Sequence, residues 1–226
     1  MKKLLLAVLL SVNLIAGGTF NTIPVSENNT SYTVKEDKRT YFEIAMGKPV
    51  KPLTDEELMN RVIYTNLIGV GVIAVWGTVF WDYFESKPKF GEEGWFGKDT
   101  KYGGADKLGH MYATYLWSLG FSSLFEYWGM SKDQSLIYGP LTSWIFQGMM
   151  ELGDSFSSSE GFSYEDLIMN TVGAGFYYVR ERYPSVKEKL DFRLEYVPDL
   201  NSNQDAFTQY NSMKYLLHLN YPDLRV

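Results

Sequence analysis

The sequence predicts a mainly α fold: a membrane-associated bundle of about four helices followed by a short C-terminal β-hairpin. Three observations predict it. Ser/Thr caps with an acid or amide three residues on recur at Thr54-Asp55-Glu56-Glu57, Ser131 to Gln134 and Ser163 to Asp166, the signature of helix starts. Val62 to Trp81 contains no charged residue, which is the length of a membrane span. Residues 189–197 alternate apolar and polar, as a half-buried strand does.

The chain divides into a signal peptide (1–18), a polar leader (19–53), a helical domain (54–184) and a C-terminal hairpin tail (185–226). Lys2 and Lys3 precede an apolar run from Leu4 to Ala16, the layout of a secretory signal. Ala16 and Gly18 are the small residues that cleavage before Thr19 requires. The expectation is export to a bacterial cell envelope, on the periplasmic side. An uncleaved N-terminal anchor is the other reading, and it keeps export. The leader is rich in Asn, Thr, Ser and Lys, with one short strand expected at Tyr41 to Met46.

The first helix follows the Thr54 capping box and includes the uncharged stretch. Gly69, Gly71 and Gly77 suit close packing of membrane helices, and Trp76 and Trp81 suit an interface. A buried central helix of a soluble bundle is the alternative. Residues 85–105 form a long Gly-rich loop. The second helix is expected from about Lys107 to Trp128 and the third from Ser131 to about Gly153, with Pro140 kinking it or delaying its start. The fourth runs from Ser163 to near Tyr183-Pro184. In the strand at 189–197, Leu190, Phe192, Leu194 and Tyr196 share one face, and Lys214 to Tyr221 forms its weaker partner.

Composition narrows the function. A formal charge of −6 argues against nucleic acid, whose phosphates demand a basic face. It also leaves membrane attachment to hydrophobic contact, and membrane lipid is the expected partner. The absence of cysteine excludes disulfides, thiol chemistry and the lipid-bearing residue of a lipoprotein. Aromatic residues make up 16% of the chain, which suits either a membrane interface or a large aromatic core.

Polar residues at helical spacing on apolar helices mark the candidate site. Asp106 and His110 are one turn apart, as are Asp166 and Asn170; Gln147, Glu151 and Asp154 form a third stripe. Such spacings share a helix face, and burying these groups is costly unless they are paired. His110, Asp106, Glu151 and Asp166 are the candidates for acid–base chemistry. Lys107, Gln147, Asp154, Ser163 and Asn170 are the candidates for binding. Plainer roles exist for several: Asp106 as a helix N-cap, Lys107 as a solvated charge, His110 as a hydrogen-bonded core residue, Asp166 as support for the Ser163 cap. One histidine with several carboxylates suits a hard or borderline cation. No HExxH, phosphate loop, dinucleotide fingerprint or GxSxG elbow occurs, so neither metal nor cofactor is expected.

These residues also carry a family resemblance. Asp106-Lys107-x-x-His110, Glu151-x-x-Asp154 and Gly161-Phe162-Ser163-x-x-Asp166-x-x-x-Asn170-x-x-Gly173-Ala174 resemble the YfiM-like family of predicted periplasmic lipoproteins. They are distantly similar to VanZ-like membrane proteins, which are associated with reduced sensitivity to teicoplanin. The resemblance covers about 105–180 and implies an envelope protein without implying an activity. The leading expectation is an accessory protein that binds a lipid or lipid-linked headgroup through its polar helix interior. A hydrolase or transferase acting on a lipid-linked substrate through His110 is the second. A scaffold docking another envelope protein through the loop at 91–102 and the hairpin is the third.

Overall fold

A computed structural model describes residues 53–199 and 209–220. The signal peptide and the strand expected at 41–46 lie outside the described residues. Four long helices are present: α1 (Asp55–Phe80), α2 (Ala105–Tyr127), α3 (Lys132–Asp154) and α4 (Tyr164–Arg182). A short α5 (Pro184–Lys187) leads into β1 (Leu190–Tyr196), which pairs antiparallel with β2 (Met213–Leu219), Phe192 opposite Leu217. The mainly α class with a C-terminal β-hairpin is borne out.

The helix starts follow their caps. Thr54 accepts the Glu57 N–H at 3.2 Å, and Glu57 accepts the Thr54 N–H at 2.8 Å. Ser131 accepts from Gln134 N at 3.3 Å and Ser163 from Asp166 N at 3.2 Å. Each bond satisfies an amide that the first helical turn leaves without a partner. Two expectations are corrected here. Asp106 does not cap α2; Gly104 does, in the left-handed conformation at φ 83°. Pro140 does not delay α3, which starts at Lys132 and continues through it. Gly139 and Pro140 are buried, and Gly139 packs against Ser122 of α2, so tertiary packing supports the helix despite the one missing amide donor.

Cross-helix contacts set the directions. Asn66 meets Thr142, Gly69 meets Phe146, and Tyr83 lies against both Gly77 and Gly153, so α1 and α3 run parallel. Lys107 meets Asp166, Thr114 meets Asn170 and Tyr115 meets Tyr177, so α2 and α4 run parallel. Ser143 and Ser122 bond the carbonyls of Thr114 and Ser135 respectively, while Trp144 bonds Thr171 and Glu151 accepts from Ser163, so α3 is antiparallel to both. The α2–α3 seam is built from small hydroxyl residues. Ser118, Ser122 and Ser143 are buried, and each donates to a backbone carbonyl, so the helices approach closely with their polar atoms satisfied.

One aromatic core gathers Tyr112, Tyr115, Tyr177 and Phe192. Phe192 brings β1 into it, while Arg193 and Glu195 face solvent, as the alternation predicted. Arg180 ties α4 to the strand through the Leu190 carbonyl at 3.0 Å. The contrast with α1 is sharp. It is the one helix among the described residues long and apolar enough to cross a membrane, and only 17% of its most apolar stretch is buried. Ile63, Leu67, Ile68, Val72, Val75 and Val79 are exposed along it.

Candidate functional site

The helix directions decide where the polar stripes go. The N-terminal turns of α2 and α4 and the C-terminal turn of α3 meet at one end of the bundle. Asp106, Lys107 and His110 arrive from α2, Glu151 and Asp154 from α3, and Ser163, Asp166 and Asn170 from α4. All three predicted stripes converge, and most of their members are buried.

Lys107 is the centre of this end. Its side chain is fully buried, which corrects the expectation of a solvated charge. The ammonium donates to Asp106 at 2.9 Å, to Asp166 at 3.0 Å, and to Glu93. Ser163 Oγ stands 3.5 Å away. Burial works against the charge, yet the hydrogen bonds and nearby carboxylates more than offset it and hold the lysine above its ordinary range. Its position explains why it cannot reach water: the loop before α2 folds over it and supplies Glu93. That loop is pinned by the Gly91 N–H to the Phe162 carbonyl, and the Phe162 N–H to the Lys89 carbonyl, both at 2.9 Å.

His110 lies beside this centre. Nδ1 is 3.4 Å from Glu151 Oε1, and Nε2 is 3.9 Å from Asp166 Oδ2. The imidazole keeps 20% of its side-chain surface exposed, against 2% for Glu151, so it forms the opening of the site. Glu151 Oε2 accepts the Ser163 N–H at 3.4 Å. Burial, then the charges of Asp166 and Asp154, push the Glu151 carboxyl well above its usual range. Burial likewise raises Asp154 to about 7. Asn170 Oδ1 accepts from Thr114 at 2.9 Å. Gln147, one turn before Glu151, is buried.

Hydrogen bonding at this end is incomplete. Asp106 Oδ1, His110 Nδ1, Glu151 Oε1 and Asn170 Nδ2 are buried without a hydrogen-bond partner, and Asp166 Oδ1 lies near Lys107 without hydrogen-bond geometry. Buried polar atoms are normally satisfied, and these exceptions gather at one end of the bundle. Six carboxyl groups (Glu93, Asp106, Glu151, Asp154, Glu165 and Asp166) gather at this end around Lys107 and His110. The surroundings therefore favour a cationic or proton-donating partner and repel a bare anion.

Glu93 and Glu165 were not among the residues the sequence singled out. Glu165 is buried and accepts from Ser163 Oγ at 3.4 Å. Glu93 sits in a loop with no periodicity, so no spacing connects it to Lys107. Glu165 follows a cap and reads as an ordinary first-turn acid.

Residues 92–182 match the model of a family described as a predicted periplasmic lipoprotein (DUF2279). The match covers the loop that carries Glu93 and all of α2, α3 and α4, and it agrees with an exported, envelope-associated protein. No curated protein and no solved structure matches the chain.

Proposed function

We propose that this chain is an envelope accessory protein held on a membrane by α1. Its acidic end binds a lipid headgroup that offers an ammonium or hydroxyl group. The observation that carries the reading is the level of the two features. Tyr83 follows α1, packs on Gly77 and Gly153, and donates to the Met150 carbonyl at 2.9 Å. The end of α1 therefore lies beside the end of α3, where Glu151 and Asp154 stand.

With 26 residues and a rise of about 1.5 Å each, α1 is longer than the roughly 30 Å hydrocarbon layer. Trp76 and Trp81 lie at that same end, suited to the interface. A bilayer around α1 would put the polar site at headgroup depth. The chain has no cysteine to carry a lipid, and α1 supplies attachment by another route. The likeness of the Asp106–His110 and Ser163–Gly173 motifs to the YfiM-like and VanZ-like families belongs to the same reading.

The test uses the full chain with chelator present. Carbonate should leave the protein with membranes, and detergent should release it. In flotation, vesicles containing phosphatidylethanolamine should bind more protein than those of phosphatidylglycerol alone. Glu151→Ala and Asn170→Ala should erase this preference while attachment persists. Release by carbonate, or a preference untouched by both variants, refutes the proposal. A second reading, hydrolysis or transfer on a lipid-linked substrate, is favoured by one observation. His110 stands between Glu151 and Asp166, an arrangement in which a carboxylate orients an imidazole for proton transfer.

A further inference from the structure

Two groups of side chains at this end are spaced to surround a cation: Glu93 with Asp106 and Asp166, and His110 with Glu151 and Asp166. The first already surrounds one, the Lys107 ammonium. The second shares Asp166, but no lysine or arginine pairs with Glu151 or His110 among the described residues. Glu151 Oε1 and His110 Nδ1 are both buried without a hydrogen-bond partner and lie 3.4 Å apart.

We propose that His110, Glu151 and Asp166 hold one divalent cation of borderline hardness, of the zinc or manganese class. This rests on the reading that this end of the bundle is a ligand site. The spacing fits. Tetrahedral zinc with bonds of about 2.1 Å places its ligand atoms about 3.4 Å apart. One nitrogen of His110 and one oxygen from each acid lie within 4.8 Å of one another, so a bound ion would draw them together by up to about 1.4 Å, with Asp166 shared between the ion and Lys107.

The donor types also select the ion. An imidazole with two carboxylates suits zinc or manganese, whereas calcium takes six or more oxygens and magnesium keeps most of its water. Glu151 lies in the last turn of α3, where the helix dipole disfavours its lone negative charge and favours an added positive one. Its second oxygen is held by the Ser163 N–H, which orients the first toward His110. The exposed edge of His110 leaves a path for the ion and an open coordination position.

The experiment takes the full chain in detergent micelles, stripped with chelator and then desalted. Zinc, manganese, magnesium and calcium are titrated separately by calorimetry, and the imidazole nitrogens are followed by NMR. His110 and His218 are the two histidines of the chain, so His218 serves as the internal reference. One zinc or manganese ion per chain should bind, with the His110 nitrogen resonances moving and those of His218 staying still. Glu151→Gln should weaken binding by about a hundredfold or more, in line with losing a ligand rather than a more distant supporting group. That variant keeps the side chain's shape and removes a buried ionisable carboxyl, so it should fold at least as well without metal. Three outcomes overturn the proposal: no binding to the wild-type chain, a shift at His218 alone, or affinity unchanged in folded Glu151→Gln. The vesicle preference, measured with chelator, is independent. If it survives while zinc fails to bind, the cation site falls and the headgroup reading stands.

Discussion

Replacing Lys107 with methionine removes the positive charge around which one end of the bundle is organised. The aliphatic stem is nearly conserved in Met, so packing changes little and the effect is electrostatic. Three carboxylates lose their shared donor: Asp106, Asp166 and Glu93. The side chains of Asp106 and Asp166 are 8% and 4% exposed, so water replaces little of what they lose. Breaking one partner from a buried ion pair costs about 3–5 kcal/mol. A domain of this size shifts its Tm by about 2–4 °C per kcal/mol, which gives a fall of roughly 10 °C. Thermal melts in detergent, with helicity as the signal, measure it. Asp166→Asn in the Lys107→Met background should cost less than it does alone, a coupling of about 1–3 kcal/mol. A fall under about 2 °C, of the size expected for a solvent-screened surface pair, would show that the lysine is not the buried hub described here.

The pH dependence has a defined sign. Burial, the largest cause, raises Asp154 from its ordinary 3.8 to about 7, with the Tyr83 hydroxyl partly opposing it. The folded chain therefore keeps a proton that the unfolded chain releases across that window. Stability should be fully present below the unfolded value and decline as pH rises toward about 7. Melting temperatures at several pH values with chelator present check this, and Asp154→Asn should flatten the slope. The glycines allow a comparison of one substitution in two places. Gly71→Ala on α1 meets nothing within 4 Å and should raise stability by about 1 kcal/mol through helix propensity. Gly173→Ala on α4 drives its methyl into the Met111 carbonyl and Thr114 and should cost about 1–3 kcal/mol through overpacking. Equal shifts in Tm for the two would contradict the close α2–α4 crossing.

What the sequence made legible was local. Thr54 with Glu57, and Ser131 with Gln134, are bonded within one turn, so four consecutive residues contain the whole signal. Leu190 to Tyr196 alternates because each side chain sees one side of a sheet. Asp106, His110, Glu151, Asp166 and Asn170 could be placed on helix faces by spacing, and the faces do converge. Pro140 does not delay the helix start, and beside it Gly139 packs against Ser122 on another helix. Lys107 was misjudged as solvated. A lysine in the first turn of a helix is ordinarily solvated, and what buries this one is Glu93 from a loop and Asp166 from 59 residues further along. Neither partner has a periodic relation to it.

That distant pairing also ties the lysine to the proposed cation. The N-terminal turns of α2 and α4 favour negative charge, through helix dipoles and unpaired amides, so Asp106 and Asp166 are placed where a helix start accommodates them. Bringing both starts to the end of α3 adds Glu151, which has no such support from its own helix. The fold has gathered more negative charge than the helix ends offset. Lys107 answers the excess on the Glu93 and Asp106 side, within the chain and permanently. On the Glu151 side the nearest nitrogen belongs to a histidine, which supplies a lone pair when neutral and a positive charge only when protonated. A proton, an ammonium-bearing headgroup and a divalent cation can each complete that side, and they differ in what they do to His110. A proton or an ammonium group leaves its ring hydrogen-bonded, whereas a metal takes one ring nitrogen as a ligand. The resonances of one imidazole thus separate a bound metal from the other two.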